Sequence, residues 1–122
     1  MTPSEQKLAA EWLSFHVRQP VVFDVFCTEL LAQIRLGRTD YSLKAVLEKV
    51  RWHTDVIAAI GTRGINNNFS PFYARLFAAR HPVHGHFLEY RAAAADELNF
   101  KAILAGDYDN VVAAVDQEEF DF

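Results

Sequence analysis

Residues 51–81 read RWHTDVIAAIGTRGINNNFSPFYARLFAARH, and the way this stretch divides decides the fold. Arg51-Trp52-His53 closes a helix whose apolar residues, Leu43, Val46, Leu47 and Val50, recur at i, i+3, i+4 and i+7. Val56–Ile65 is short, partly β-branched and broken by Gly61-Thr62-Arg63-Gly64. That composition predicts a β-hairpin with Arg63 at its tip; the alternative is a helix continued through Ile60 and followed by an irregular loop. Asn66-Asn67-Asn68 then leads into Ser70-Pro71, where serine suits an N-cap, proline suits the first helical position, and Phe69 can staple back onto the helix. The helix that follows is predicted to reach about Arg80, because Pro82 stops it. Phe72, Tyr73, Leu76 and Phe77 share one face of it, Ala74, Ala78 and His81 the other, with Arg75 at the edge.

Working outward, Thr2-Pro3-Ser4-Glu5 has the layout of a capped helix start, and Leu8, Trp12 and Phe15 continue it as a stripe to about His16. Pro20 restarts the chain. Val22, Phe23, Phe26, Leu30 and Ile34 mark a helix over Val21–Leu36 that is expected to be central to the core, with Gly37 beyond its end. Ser42 is the expected cap of the third helix. After Pro82, further helices are expected near His86–Ala95 and, more weakly, Glu97–Ala105. The chain is therefore expected to be mainly α: a single domain over residues 1–106 with one short β-hairpin, similar to a winged helix-turn-helix. Residues 107–122 form an acidic C-terminal tail, in part a short docked helix around Val111, Val112 and Val115 and in part a mobile end.

At 122 residues, with 51% hydrophobic and 13% aromatic side chains, the chain can build one real core. It has no apolar run of the roughly 20 residues that span a bilayer, and its start lacks the pattern of a secretory signal. Cys27 is the sole cysteine, which points to a reducing, cytoplasmic setting, and its apolar surroundings make it a buried small hydrophobe. The net charge of −4 is unevenly spread: −2 over residues 1–34, +5 over 35–91 and −7 over 92–122. A cationic middle of this kind permits a nucleic-acid partner despite the overall acidity.

No Gly-rich phosphate loop, Ser-His-Asp ordering or Cys-x-x-Cys appears, so no catalytic residue and no cofactor is expected. His81, His84 and His86 invite comparison with a zinc site, but Pro82 and Gly85 give the segment loop character, no carboxylate completes a ligand set, and no metal is assigned. The constellation that carries chemistry is the helix after the asparagines. A helix-turn-helix places its second helix in the major groove. Arginine offers paired donors to guanine, and asparagine pairs with adenine or contacts phosphate. On this reading Asn66, Asn67, Asn68, Tyr73 and Arg75 face DNA, Arg63 acts as a wing, and Arg51 and Arg80, with Lys44 and Lys49, touch phosphate. The connection between the two helices far exceeds a simple 3–4-residue turn, so a hairpin-containing variant is required.

With Arg51-Trp52-His53-Thr54, Asn66-Asn67-Asn68, Pro71–Phe77 and His81-Pro82 in view, the chain resembles a family of small uncharacterised proteins of bacteria, phages and prophages. That family shares an Arg-Trp pair, an asparagine cluster, a Tyr-Ala-Arg helix and a following His-Pro. The resemblance covers about residues 15–91 and implies a nucleic-acid or phage-regulatory role by association. The expected function is thus non-enzymatic DNA binding, with a protein-interaction or structural module as the alternative and a metal-dependent nuclease built on His53 or His81–His86 as a third. A homodimer is compatible with the first two readings, and the acidic tail is a candidate contact for a protein partner. The module alternative requires Trp52, Tyr73 and Phe77 to be buried and Arg75 to be ion-paired.

Overall fold

The helix starts and stops legible in the chain become six α-helices in the computed structural model, which describes residues 2–62, 64–87 and 94–111. These are α1 (Pro3–Arg18), α2 (Pro20–Arg35), α3 (Leu43–Arg51), α4 (Thr54–Ile60), α5 (Ser70–Arg80) and α6 (Phe100–Leu104). Single 3-10 turns occupy Asn67–Phe69, Pro82–His84, Ala94–Glu97 and Tyr108–Asn110. Among the described residues there is no strand, and no helix is long and apolar enough to cross a membrane. The tip of the expected hairpin at Arg63, most of the expected helix at His86–Ala95, and the tail from residue 112 onward lie outside the described residues.

Local chemistry explains most of the boundaries. The Thr2 hydroxyl accepts the Glu5 amide at 3.2 Å and donates to the Glu5 carboxylate at 3.0 Å, a cap that satisfies otherwise unpaired groups of α1. Pro20 starts α2, and Gly37 ends it with φ 85°, its amide bonded to the Ile34 carbonyl at 3.0 Å. Ser42 caps α3 by accepting the Ala45 amide at 3.3 Å.

The hairpin expectation is corrected. Thr54–Ile60 is helical because His53 caps it, with Nδ1 accepting the Asp55 amide at 3.1 Å, and because Asp55 sits in the first turn where a negative charge suits the helix dipole. Val56 is fully buried from this helix, which packs on α2. Gly61 then stops it with φ 72° and ψ −158°, a region open essentially to glycine alone. Without a hairpin there is no wing, so the winged helix-turn-helix expectation falls with it.

The helix α5 is enclosed to an extent its sequence pattern did not suggest. It packs on α2, α3 and α6, and every residue from Phe72 to Phe77 is buried, Ala74 and Arg75 included. The core therefore centres on α5 and α2 together, with Trp12 of α1 and Ile103 of α6 closing it. Beyond Gly106 the chain still contributes to this core: Val111 is buried, and its carbonyl accepts the Asn99 amide at 2.5 Å.

Because nothing lies within 4 Å of a Cβ built on Gly61, substitution there isolates backbone strain from packing. Gly61→Ala is expected to lower stability by about 1–3 kcal/mol, read as a shift in the urea midpoint at an unchanged slope.

Candidate functional site

The residues expected to meet nucleic acid fall into two groups that fold apart. The first forms a polar clasp between the end of α3 and the loop before α5. Arg51 donates Nη1 to Glu48 at 2.8 Å, and Nη2 both to the Ile65 carbonyl at 2.7 Å and to the Asn67 side-chain oxygen. Glu48 also accepts the Trp52 indole N–H at 3.2 Å; the indole and then the Arg51 guanidinium hold its carboxyl below the usual carboxylate range. Trp52, expected to be buried under the module alternative, is 63% exposed.

Asn66 accepts the Asn68 amide at 2.9 Å and so starts the 3-10 turn that feeds α5. Ser70 does not cap that helix as expected. Its hydroxyl donates to the Asn67 carbonyl at 2.8 Å, and the helix is entered directly from the preceding turn. The asparagines remain exposed at the surface, while Arg51 is spent holding the loop.

The second group lies along α5, and here Tyr73 and Arg75 are corrected as groove-facing residues. Tyr73 is 0% exposed, packed on Phe26 and Phe23 and edge-on to Trp12. Burial pushes its hydroxyl pKa far up. Arg75 is 6% exposed, with Nε on Asp96 at 2.5 Å and Nη1 on the Pro71 carbonyl at 2.9 Å. A side chain held in this way cannot reach a base edge without breaking the core. Arg80 is half-exposed, lies over the Phe23 ring and pairs with Asp24 at 3.3 Å.

Among the described residues, Trp12 Nε1, His16 Nδ1 and the Tyr73 hydroxyl are buried without a hydrogen-bond partner of good geometry. The indole does lie close enough to the phenol oxygen to temper the rise of its pKa. His16 stacks on Trp12 with ring centroids 5.4 Å apart and stands edge-on to Phe23 and Tyr73. Burial lowers the His16 pKa, and the Asp24 carboxylate opposes the shift in part.

Sequence reasoning missed the surface of α1. An open groove of about 760 Å³ follows its C-terminal half, lined by Ser14, Val17 and Arg18 of the helix together with Phe69 and Tyr108. Phe69 is held there by the Phe15 ring at 5.5 Å. Val17 is 47% exposed and Tyr108 41%, and Tyr108 also borders a neighbouring cleft beside His16 and Leu104. The available signal was Val17, an apolar residue between exposed Ser14 and Arg18; Tyr108 sits in a segment read as tail.

Nothing in the described residues resembles an assembled catalytic centre. No three His, Cys, Asp or Glu side chains come together there as a metal-binding set, and His81 packs against Phe77 at 5.1 Å. Cys27 is buried, and burial pushes its thiol up to about 12, which removes thiolate chemistry at neutral pH.

Two outcomes follow. Arg75→Ala is expected to destabilise by about 3 kcal/mol in chemical denaturation, the low end for a broken buried pair because Asp96 remains half-exposed to water. The neutral His16 ring is the favoured folded form, so the unfolded chain takes up its proton first. Its contribution to stability is complete above about pH 6.5 and is lost as pH falls below that value toward the depressed folded pKa. Thermal melts of the protein should lose midpoint between pH 7 and 5, and His16→Phe should flatten that slope. No family model, curated protein or solved structure matches the chain.

Proposed function

We propose that this chain is a non-enzymatic protein-interaction module, which receives an apolar segment of another polypeptide in the groove along α1. The observation that carries this reading is the groove itself. Val17 and Tyr108 stay substantially exposed in it, beside the aromatic side chains Phe15 and Phe69 and bordered by the charged Glu11 and Arg18. Apolar concavities rimmed by polar residues are where soluble proteins receive partners.

The behaviour of the cations supports the same reading. Arg75 and Arg51 are taken up by internal carboxylates and carbonyls, and Arg80 stands against Asp24. Tyr73 and Phe77 are buried and Arg75 is ion-paired, as an interaction module requires, whereas exposed Trp52 departs from that pattern. Of the remaining described basic side chains of the middle segment, Arg35, Arg38, Lys44 and Lys49 are exposed, with Arg38 over the Tyr41 ring. They give nucleic acid an electrostatic foothold only.

A photo-reactive p-benzoylphenylalanine in place of Ser14 tests the reading in the full chain. A polypeptide adduct that disappears with Val17→Glu is the expected result. Adducts to nucleic acid alone, or none at all, would overturn it. So would salt-sensitive duplex-DNA binding in a fluorescence titration that Lys44→Glu and Lys49→Glu abolish, since phosphate contacts are the salt-dependent ones.

A further inference from the structure

The exposed stripe of α1 is charge-complementary to itself. Glu11 and Arg18 are exposed residues lining the groove, seven positions apart, with exposed Ser14 between them. Seven residues of helix span about 10.5 Å, so each charge stands about 5 Å along the axis from their midpoint, in opposite directions. If a second α1 is laid antiparallel across the first about a two-fold axis midway between Glu11 and Arg18, at the level between Ser14 and Phe15, each Glu11 comes opposite the partner's Arg18.

The same operation sets the groove-lining residues of the two copies, Val17 among them, face to face. Ala10 and Ser14 are small enough for the helices to approach closely. Arg18 uses Nε on the Ser14 carbonyl at 3.2 Å, and among the described residues no carboxylate is bonded to its two terminal nitrogens.

From this geometry we infer that the occupant of the α1 groove is a second copy of this chain, paired as an antiparallel two-fold dimer through α1. The inference rests on the reading of that groove as an interaction site, and it names the partner. An isologous interface uses one patch twice, so a single charge reversal strikes both Glu11–Arg18 contacts at once. A uniformly acidic or basic partner segment would pair one of the two charges and face the other with a like charge, and a purely apolar one would pair neither. A second copy satisfies both ends.

Analytical ultracentrifugation of the full chain over a concentration series tests this. The natural sequence should sediment as a dimer at micromolar concentration. Glu11→Arg and Arg18→Glu should each weaken association by about tenfold or more, through like charges set face to face. The double variant Glu11→Arg/Arg18→Glu should recover the dimer, and an equimolar mixture of the two single variants should form a heterodimer, because every charge again meets its opposite. Circular dichroism of each variant separates loss of pairing from loss of fold.

A monomer at all concentrations, or a dimer indifferent to the single reversals, overturns the inference. The remaining outcomes separate it from the module reading. A monomer whose photo-reactive group at position 14 still captures another polypeptide leaves the module and removes the second copy. A monomer whose group at position 14 reacts with residues 112–122 of its own chain overturns both, as does a monomer that captures nothing.

Discussion

Trp12 is the contact on which the rest of the arrangement depends. Its indole is fully buried and meets the rings of Phe72 at 5.1 Å, Tyr73 at 5.7 Å and Phe100 at 5.9 Å, which joins α1, α5 and α6 at one point. Each such ring removes about 150–250 Å² from water, and favourable ring pairs add about 0.5–1.5 kcal/mol beyond that burial. Rotating α5 to bring Tyr73 or Arg75 to the surface would dismantle this cluster. Anchoring Trp12, Leu13 and Ala9 inward also leaves Glu11, Ser14, Val17 and Arg18 facing out. One packing decision therefore removes the apparent reading helix from solvent and exposes the side of α1.

The uneven charge of the chain has a related explanation. The basic middle segment and its acidic flanks partly neutralise one another in space: Arg75 meets Asp96 from the C-terminal side, and Arg80 meets Asp24 from the N-terminal side. Arg51 is balanced locally by Glu48. Part of what looks along the chain like a cationic patch is thus neutralised in pairs, while Arg35, Arg38, Lys44 and Lys49 stay exposed. Arginine suits this role because its fork can satisfy a carboxylate and a backbone carbonyl together, as Arg75 does with Asp96 and Pro71.

Much of the helical frame was legible because its signals are local. Thr2, Pro3, Pro20, Gly37 and Ser42 act where their chemistry places them, and Cys27 is buried as its apolar neighbours imply. The helix α4 was missed because its apolar run is short and β-branched, while its cap is a histidine, an uncommon residue in that position. The apparent cap at Ser70 gave way to Asn66, which starts a tight turn one step earlier. The surface roles of Tyr73 and Arg75 could not be judged from periodicity: a helix enclosed by three others is apolar on more than one side, and the partners that enclose it lie far away in sequence. The groove was illegible for the same reason, since Phe69 and Tyr108 reach α1 only through tertiary packing.

The contact between Trp12 and Phe100 also bears on how the protein is made. The helices α1, α2 and α3 emerge from the ribosome early, yet the indole they must cover cannot be sealed until α5 and α6 have both followed. Until then a large aromatic surface stays open on the nascent chain, and contacts of such long sequence separation close slowly. Substitutions that delay α6, at Phe100 or Ile103, would therefore act first on yield and on the need for chaperones, before any effect on the finished protein's surface could be seen.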